Sequence, residues 1–222
     1  MKERYNDMKI YIFGAGGGAT EILEDHVFKT LPTLIDDNPT KEYLQIESIY
    51  TNGKIEVPIA KYSEIENIID KEKNAGLFIS VLNMVYRERI AKRFPNHRFI
   101  NFISPDASVL LPNTRKLVGV NIRNFALISS TAKLGKHIRV NFYSMVSHHC
   151  KVGDYSFISH NVAMSSGVTI GKKCCIFENA TILPRITIGD NTIIGAHSLV
   201  TKDMPENMVA YGSPARVIKD NE

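Results

Sequence analysis

The 222 residues suffice for one large or two small domains, and 44% hydrophobic with 23% charged residues is a globular balance that excludes disorder and fibrous repeats. No apolar run approaches the ~18 residues of a membrane-crossing helix. The N-terminal MKERYNDMKIYIF offers no signal-cleavage site, and three cysteines (Cys150, Cys174, Cys175), two of them adjacent, suit reduced thiols; a cytoplasmic protein with no membrane insertion is expected. A dispersed net charge of +4 and no RNA- or DNA-binding motif argue against nucleic acid as a partner.

The first half alternates strand and helix signals. Lys9–Phe13 (KIYIF) reads as a buried strand running into glycines, residues 19–28 as a helix, and residues 33–37 (TLIDD) as a second strand ending in two acids. Residues 63–71 read as a helix opened by the capping-box spacing Ser63-x-x-Glu66, with Ile65, Ile68 and Ile69 on one face. A strand over 77–81, a helix over 85–94 and a strand over 99–103 follow. About four strands among helices imply a small, mostly parallel α/β domain over 1–104, and Pro105 and Pro112 bracket the junction to a second domain over 105–222.

From Ile122 the period becomes six. Ile122, Ile128, Leu134, Val140, Val146, Val152, Ile158, Met164, Ile170, Ile176, Ile182, Ile188, Ile194 and Val200 are aliphatic without a miss. Four residues after each of the first thirteen stands a small or aliphatic residue, from Ala126 and Ala132 through Cys150 and Cys174 to Ser198. Glycine follows the aliphatic position at Gly135, Gly153, Gly171 and Gly189, an 18-residue beat that predicts one tight, positive-φ corner per three hexapeptides. Three short strands per turn make a triangular coil, and stacked coils make a parallel β-helix. Both cysteines of the small column, Cys150 and Cys174, are expected to pack in its core. The tail from Met204 is expected to leave the repeat and pack back along it.

Gly14-Ala15-Gly16-Gly17-Gly18-Ala19 matches G-x-G-x-x-[GA] between a strand and a helix, with Asp36 and Asp37 about 20 residues on. Its backbone amides and helix N-terminus suit a phosphate, and the acids a ribose or a base. One mononucleotide-binding half favours a sugar nucleotide over a dinucleotide; a tight turn without a ligand is the plain alternative. On the solenoid, His148 and His160 occupy the outward phase two residues after the inward aliphatic. A neutral imidazole there can take a proton from an attacking amine or hydroxyl, and Ser166-Gly167, one coil beyond His148, can offer N–H groups to a carbonyl oxygen. Ordinary surface histidines, or a zinc site drawing on His148, His149, His160 and His197, are the competing readings.

KIYIFGAGG, LIDD, SVLNMVYRERIAKRF, the SHHCKVGD string in its hexapeptide frame, SSGVTIG and the terminal YGSPARVI together resemble the bacterial sugar acetyltransferases. In that family a small Rossmann-like domain precedes a left-handed β-helix of hexapeptide repeats; it includes N-acetyltransferases of nucleotide-linked 4-amino-4,6-dideoxysugars and sialic acid O-acetyltransferases. The resemblance implies catalysis at His148, with His149 beside it, and substrate contacts from Gly14, Gly16, Gly17, Asp36, Asp37, Asn83 and, for the sugar, Asn141. It implies acetyl-CoA between adjacent subunits of a homotrimer, past Ser165, Ser166, Gly167, Gly195 and Ala196, with Pro214, Ala215 and Arg216 near its adenosine end.

Two departures bear on the chemistry. The family has Asp or Glu directly after the base, and this chain has His149; Ser130, one coil before His148, or a backbone carbonyl is expected to orient the base instead. Ser166 replaces a common glycine. The implied function is acetyl-CoA-dependent transfer to the 4-amino group of a UDP-, dTDP- or GDP-linked deoxysugar for a bacterial surface glycan, with no metal. Sialic acid O-acetylation and a non-catalytic trimeric scaffold are the alternatives.

Overall fold

The computed structural model describes residues 8–25, 31–37, 39–48, 53–72 and 74–221. The chain divides into two compact units, Met1–Ile100 and Asn101–Glu222. No helix among the described residues is long and apolar enough to cross a membrane.

The first unit holds β1 (Lys9–Phe13), α1 (Gly17–Asp25), β2 (Thr33–Asp36), β3 (Tyr43–Ser48), β4 (Gly53–Lys61), α2 (Tyr62–Lys71), β5 (Ala75–Ile79), α3 (Met84–Arg93) and β6 (Arg98–Phe99). The sheet order is β3-β4-β2-β1-β5-β6, with β3 antiparallel to β4 and the other pairs parallel. β1 and β5 read as near-continuous apolar runs because both their faces are covered: Tyr11, Ile12, Leu34, Leu77 and Phe78 are fully buried. From β1 the chain moves to one side for β2 and β4, then crosses through α2 to the other side for β5. The β1/β5 boundary is therefore the switch point at which an open α/β sheet leaves a crevice beyond its strand ends.

The sheet has six strands where about four were expected. Pro58 weakens the strand signal of β4, yet it tolerates a place in the antiparallel pair with Tyr43. The expected capping box does not form, because Asp36↔Lys61 pairing carries β4 straight into α2. Lys61 takes the cap position without a side-chain bond, and Ser63 lies inside the helix. Ile65 and Ile69 are buried one turn apart, whereas Ile68 is exposed. α1 begins at Gly17 rather than Ala19; the part of its expected span over 26–28 lies outside the described residues. The strand expected over 99–103 is two: Arg98–Phe99 pairs with β5, and Phe102–Ile103 starts the second unit by pairing with Asn121–Ile122.

The second unit is a left-handed parallel β-helix of two-residue strands on three faces. Each strand pairs in parallel with the one 18 residues on, as in Met145↔Ala163, Lys151↔Thr169 and Phe157↔Cys175. All but one of the fourteen aliphatic positions are buried, Leu134 being partly so, and the whole small column is buried. Hydroxyls in that column are satisfied across coils: Ser156 Oγ donates to the Gly171 carbonyl at 2.7 Å and accepts from the Cys174 N–H at 3.0 Å. Cys150 and Cys174 use their thiols likewise, toward the Ser165 and Gly189 carbonyls, and burial pushes the Cys174 thiol up to about 11. All three cysteines are free and buried.

The corners turn on a different residue from the one expected. Gly135, Gly153, Gly171 and Gly189 do not have positive φ; the left-handed position is two residues later and recurs every six, at Phe125, His137, Tyr143, His149, Tyr155 and Asn161, with Gly167 in the same phase. The 18-residue glycine beat answers to close approach instead. A Cβ on Gly153 would stand 2.5 Å from the Gly171 carbonyl carbon, and one on Gly135 2.7 Å from the Asp154 nitrogen. Beside them Asp154 and Asp190 each accept a backbone N–H from the preceding coil, of Lys136 and Lys172, at 2.8 Å. The tail does not leave the repeat at Met204. Met208–Gly212 pairs with Ile193–Ile194 as a further rung, and only Ala215–Asp220 turns back, antiparallel upon it.

Gly153→Ala should therefore lower stability by about 1–3 kcal/mol through overpacking, seen as a fall in melting temperature. Gly16→Ala, whose Cβ would meet nothing within 4 Å, should leave it unchanged. An aromatic disulfide reagent should titrate the three buried thiols only after denaturation.

Candidate functional site

At the carboxyl ends of β1, β2 and β5 lies an open cleft lined by Phe13, Gly14, Ile35, Asp36, Asp37, Tyr62, Val81, Tyr86 and Ile90. Gly14 is required there twice over: its φ is +100°, and a Cβ would press on Ser80 Oγ and Val81 Cγ2 at 2.8 and 2.9 Å. Its N–H donates to the Ile35 carbonyl at 2.7 Å, tying the loop to β2. Gly16 and Gly17 face open space at the start of α1, so a ligand can approach their backbone. The glycine loop and both acids thus converge on one crevice at the switch point.

Sequence reasoning missed Tyr86, which lines this cleft, and Arg87, which braces the loop beside it. The Tyr86 hydroxyl donates to Asp37 Oδ2, and burial, reinforced by the carboxylate, holds that phenol well above its ordinary range. Arg87, 3% exposed, donates from Nε to the Val81 carbonyl at 3.2 Å and from a terminal nitrogen to the Leu82 carbonyl at 3.0 Å, which fixes the loop after β5. Both lie in a helix whose signals read only as amphipathic. Asn83 is the N-cap of α3: its Oδ1 accepts the Tyr86 N–H at 2.9 Å, leaving its amide NH₂ for a ligand.

On the β-helix, the 18-residue register sets His148 directly over Ser166, and the imidazole Nε2 lies 2.6 Å from Ser166 Oγ. Ser166, not Ser130, is the serine partner. His149 occupies the left-handed corner position (φ 60°), so its ring leaves the backbone differently from that of His148, with centroids 5.2 Å apart and planes nearly perpendicular. Its N–H donates to Thr131 Oγ1 at 2.9 Å. The Gly167 N–H is already used, donating to the His148 carbonyl at 2.9 Å, which removes it as an oxyanion donor. The Ser166 N–H, by contrast, makes no protein bond among the described residues. Among the described residues no group of three or more His, Cys, Asp or Glu is placed to hold a metal ion.

Asn141 lies on another corner, where its amide faces His160 Nε2 at 3.4 Å. Ala196 shares that corner column, two coils beyond His160, while Ser165, Ser166 and Gly167 lie with His148. Gly195 is engaged in the rung, its N–H donating to the Ala210 carbonyl at 2.8 Å and its carbonyl accepting from Ser198 Oγ at 2.7 Å. Pro214, Ala215 and Arg216 sit in the terminal hairpin, Ala215 fully buried and Arg216 donating to its carbonyl at 2.9 Å. Within one chain the residues expected for the cosubstrate therefore fall on separate corners.

Residues 167–202 match the bacterial transferase hexapeptide repeat (six repeats). Among curated relatives, the galactoside O-acetyltransferase of Escherichia coli (strain K12) is 53% identical over 53 residues, 24% of this chain and 26% of its own. A putative colanic acid biosynthesis acetyltransferase of the same strain is 43% identical over 53 residues, 24% of this chain and 29% of its own. The chain thus spans under a third of the length of these relatives. Solved structures match nearly throughout. The perosamine N-acetyltransferase of Caulobacter crescentus, solved in complex with CoA and GDP-perosamine, superposes with a TM-score of 0.82 at 24% identity, over 96% of this chain and 98% of its own. The acetyltransferase domain of PglB from Neisseria gonorrhoeae FA1090, in complex with acetyl coenzyme A, gives 0.79 at 20% identity over 95% and 98%. The fold is theirs.

The Tyr86–Asp37 bond yields a direct check. In ultraviolet titration of the phenols, Asp37→Asn should move one tyrosine to lower pH, because the negative acceptor is gone, while leaving it above an exposed tyrosine, because burial remains.

Proposed function

We propose that this chain is an acetyl-CoA-dependent sugar N-acetyltransferase acting on the 4-amino group of a nucleotide-linked 4-amino-4,6-dideoxysugar in bacterial surface glycan synthesis. The observation that carries the reading is His148, on an outward corner of a hexapeptide β-helix, with Nε2 2.6 Å from Ser166 Oγ. The shared fold supports acyl transfer, and the glycine cleft at the switch point of the first unit supports a nucleotide.

In this reading Gly14, Gly16 and Gly17 admit the diphosphate, while Asp36 and Asp37 meet the ribose or base. Asn83, at the cap of α3, offers its amide NH₂ to the same ligand, and Asn141 contacts the sugar. Ser165, Ser166, Gly167, Gly195 and Ala196 line the path of acetyl-CoA, with Pro214, Ala215 and Arg216 toward its adenosine. His148 accepts the amine proton as nitrogen attacks the thioester carbonyl, and the Ser166 N–H meets the oxyanion. The C–N bond forms, the C–S bond breaks, and the proton passes to the departing thiolate, giving the amide and free CoA. The Ser166 hydroxyl takes over from a carboxylate the task of orienting the ring, and His149, anchored at its corner, buttresses it.

Leu110, Leu127, Met145 and Leu183 are exposed on one face of the β-helix, an apolar surface suited to a second copy of the chain. With the family resemblance this supports a homotrimer, and the reduced thiols and acetyl-CoA support a cytoplasmic setting.

The test is acetyl-CoA-dependent thiol release against UDP-, dTDP- and GDP-linked 4-amino-dideoxysugars and free sialic acid. Turnover with one amino sugar nucleotide is expected; turnover with sialic acid alone would make the chain an O-acetyltransferase, and silence across the panel would favour a scaffold. His148→Asn should lower kcat by about 100-fold or more while leaving acetyl-CoA binding intact. Light scattering should give three times the 24.9 kDa chain mass.

A further inference from the structure

The second histidine corner is more elaborately built than the first. Arg139 Nε donates to Asn141 Oδ1 at 2.8 Å, which fixes the amide with its NH₂ toward His160. His160 Nε2 is therefore the acceptor across the 3.4 Å contact, and a neutral ring carries its proton on Nδ1. The ring lies flat against Phe142, with centroids 5.4 Å apart and planes within 7°, and the Arg123 guanidinium stands 4.8 Å over the same phenyl ring. Asn141 and Arg139 are buried, at 3% and 5% exposure, so the histidine's support is rigid.

One coil beyond His160, in the same corner column, stands Glu178. Its Oε1 accepts from the Ser159 hydroxyl at 2.8 Å, and Ser159 is 1% exposed. The carboxyl is held below its ordinary range by hydrogen bonds from its own backbone and from Ser159, with His160 and His197 adding attraction. No lysine or arginine pairs with Glu178 among the described residues. A solvated surface carboxylate needs no buried anchor, whereas this one is oriented by Ser159 and by its own backbone N–H.

An anchored carboxylate without a Lys or Arg partner, beside an imidazole held in place by a fixed amide, fits a small cation with several N–H donors. We propose that Glu178, with His160 beside it, recognises the amino group of the acceptor, binding it as its ammonium through the Glu178 carboxylate; the ammonium gives up its extra proton to solvent before the nitrogen attacks. The proposal rests on the aminosugar reading above and adds to it the residues that separate an amine from a hydroxyl acceptor. His148 and His160 stand on different corners, at either side of the face formed by Met145–Val146 and Ala163–Met164. For an amine at Glu178 to meet a His148, the proposal requires a second copy to bring its own His148 corner to it.

The experiment compares equilibrium binding of a nucleotide-linked 4-amino sugar and its 4-hydroxy counterpart by calorimetry, in wild type, Glu178→Gln and His160→Asn, with turnover followed in parallel. Glu178→Gln keeps the shape and the Ser159 bond, so the fold is retained. Wild type should prefer the amine, and Glu178→Gln should reduce that preference by about tenfold, the worth of one charge-assisted hydrogen bond. KM for the aminosugar should rise while KM for acetyl-CoA stays unchanged. Equal preference in wild type and Glu178→Gln, or none in wild type, overturns the proposal. An amine preference lost in Glu178→Gln without acetyl transfer by any form leaves the recognition site standing and overturns the transferase reading instead.

Discussion

The outward features of the β-helix depend on one backbone constraint: a residue held near φ +60° at the corners, every six residues from His137 to His197. Three such corners close a coil of 18, and parallel pairing at that spacing locks each coil over the last. Side chains 18 residues apart must then touch. The rule sets His148 over Ser166, Phe142 over His160 and His160 over Glu178, so the chemistry of a corner is written in a column that no local window of sequence contains. The left-handed conformation costs a non-glycine residue roughly 1 kcal/mol, and stacking between corner residues offsets part of it. Phe125 lies on Tyr143, His137 on Tyr155, and Asn161 bonds to Asn179.

The period also explains how much of the fold was legible. Fourteen aliphatic positions and a parallel small column determine which residues are inside, and the structure buries them. The corner was not legible, because the glycines that stand out in the sequence mark close approach between coils, while the positive-φ positions are filled by histidine, tyrosine, asparagine and lysine with no shared chemistry. In the first unit the strands buried on both faces announced themselves; β3 and β4 carry alternating polar residues and Pro58, which look like loop until they pair with each other.

Legibility of the candidate site follows the same division. The glycine cleft rests on a contiguous motif whose geometry is local, so Gly14 and the two acids could be placed from sequence. Tyr86 enters it, and Arg87 braces the loop beside it, from a helix some 50 residues beyond Asp37, and no spacing rule links them to it. His148 was found by phase, yet its partner was sought in the preceding coil, whereas the hydroxyl that reaches Nε2 belongs to the following one. Glu178 was passed over because an acidic residue on an exposed turn is ordinary until its buried serine anchor is seen.

The missing carboxylate beside His148 is then a question of placement rather than of loss. If His148 is the base, as proposed, a carboxylate adjoining it would stabilise the imidazolium and also attract a cationic amine to the group that accepts the proton. Beside His148 stand a serine hydroxyl and a second imidazole. The anchored carboxylate stands on another corner, beside a histidine whose ring is fixed by Asn141. In the proposed reading, separating the corners lets one hold charge while the other moves a proton, and it ties that reading to association of copies over the apolar face between the corners.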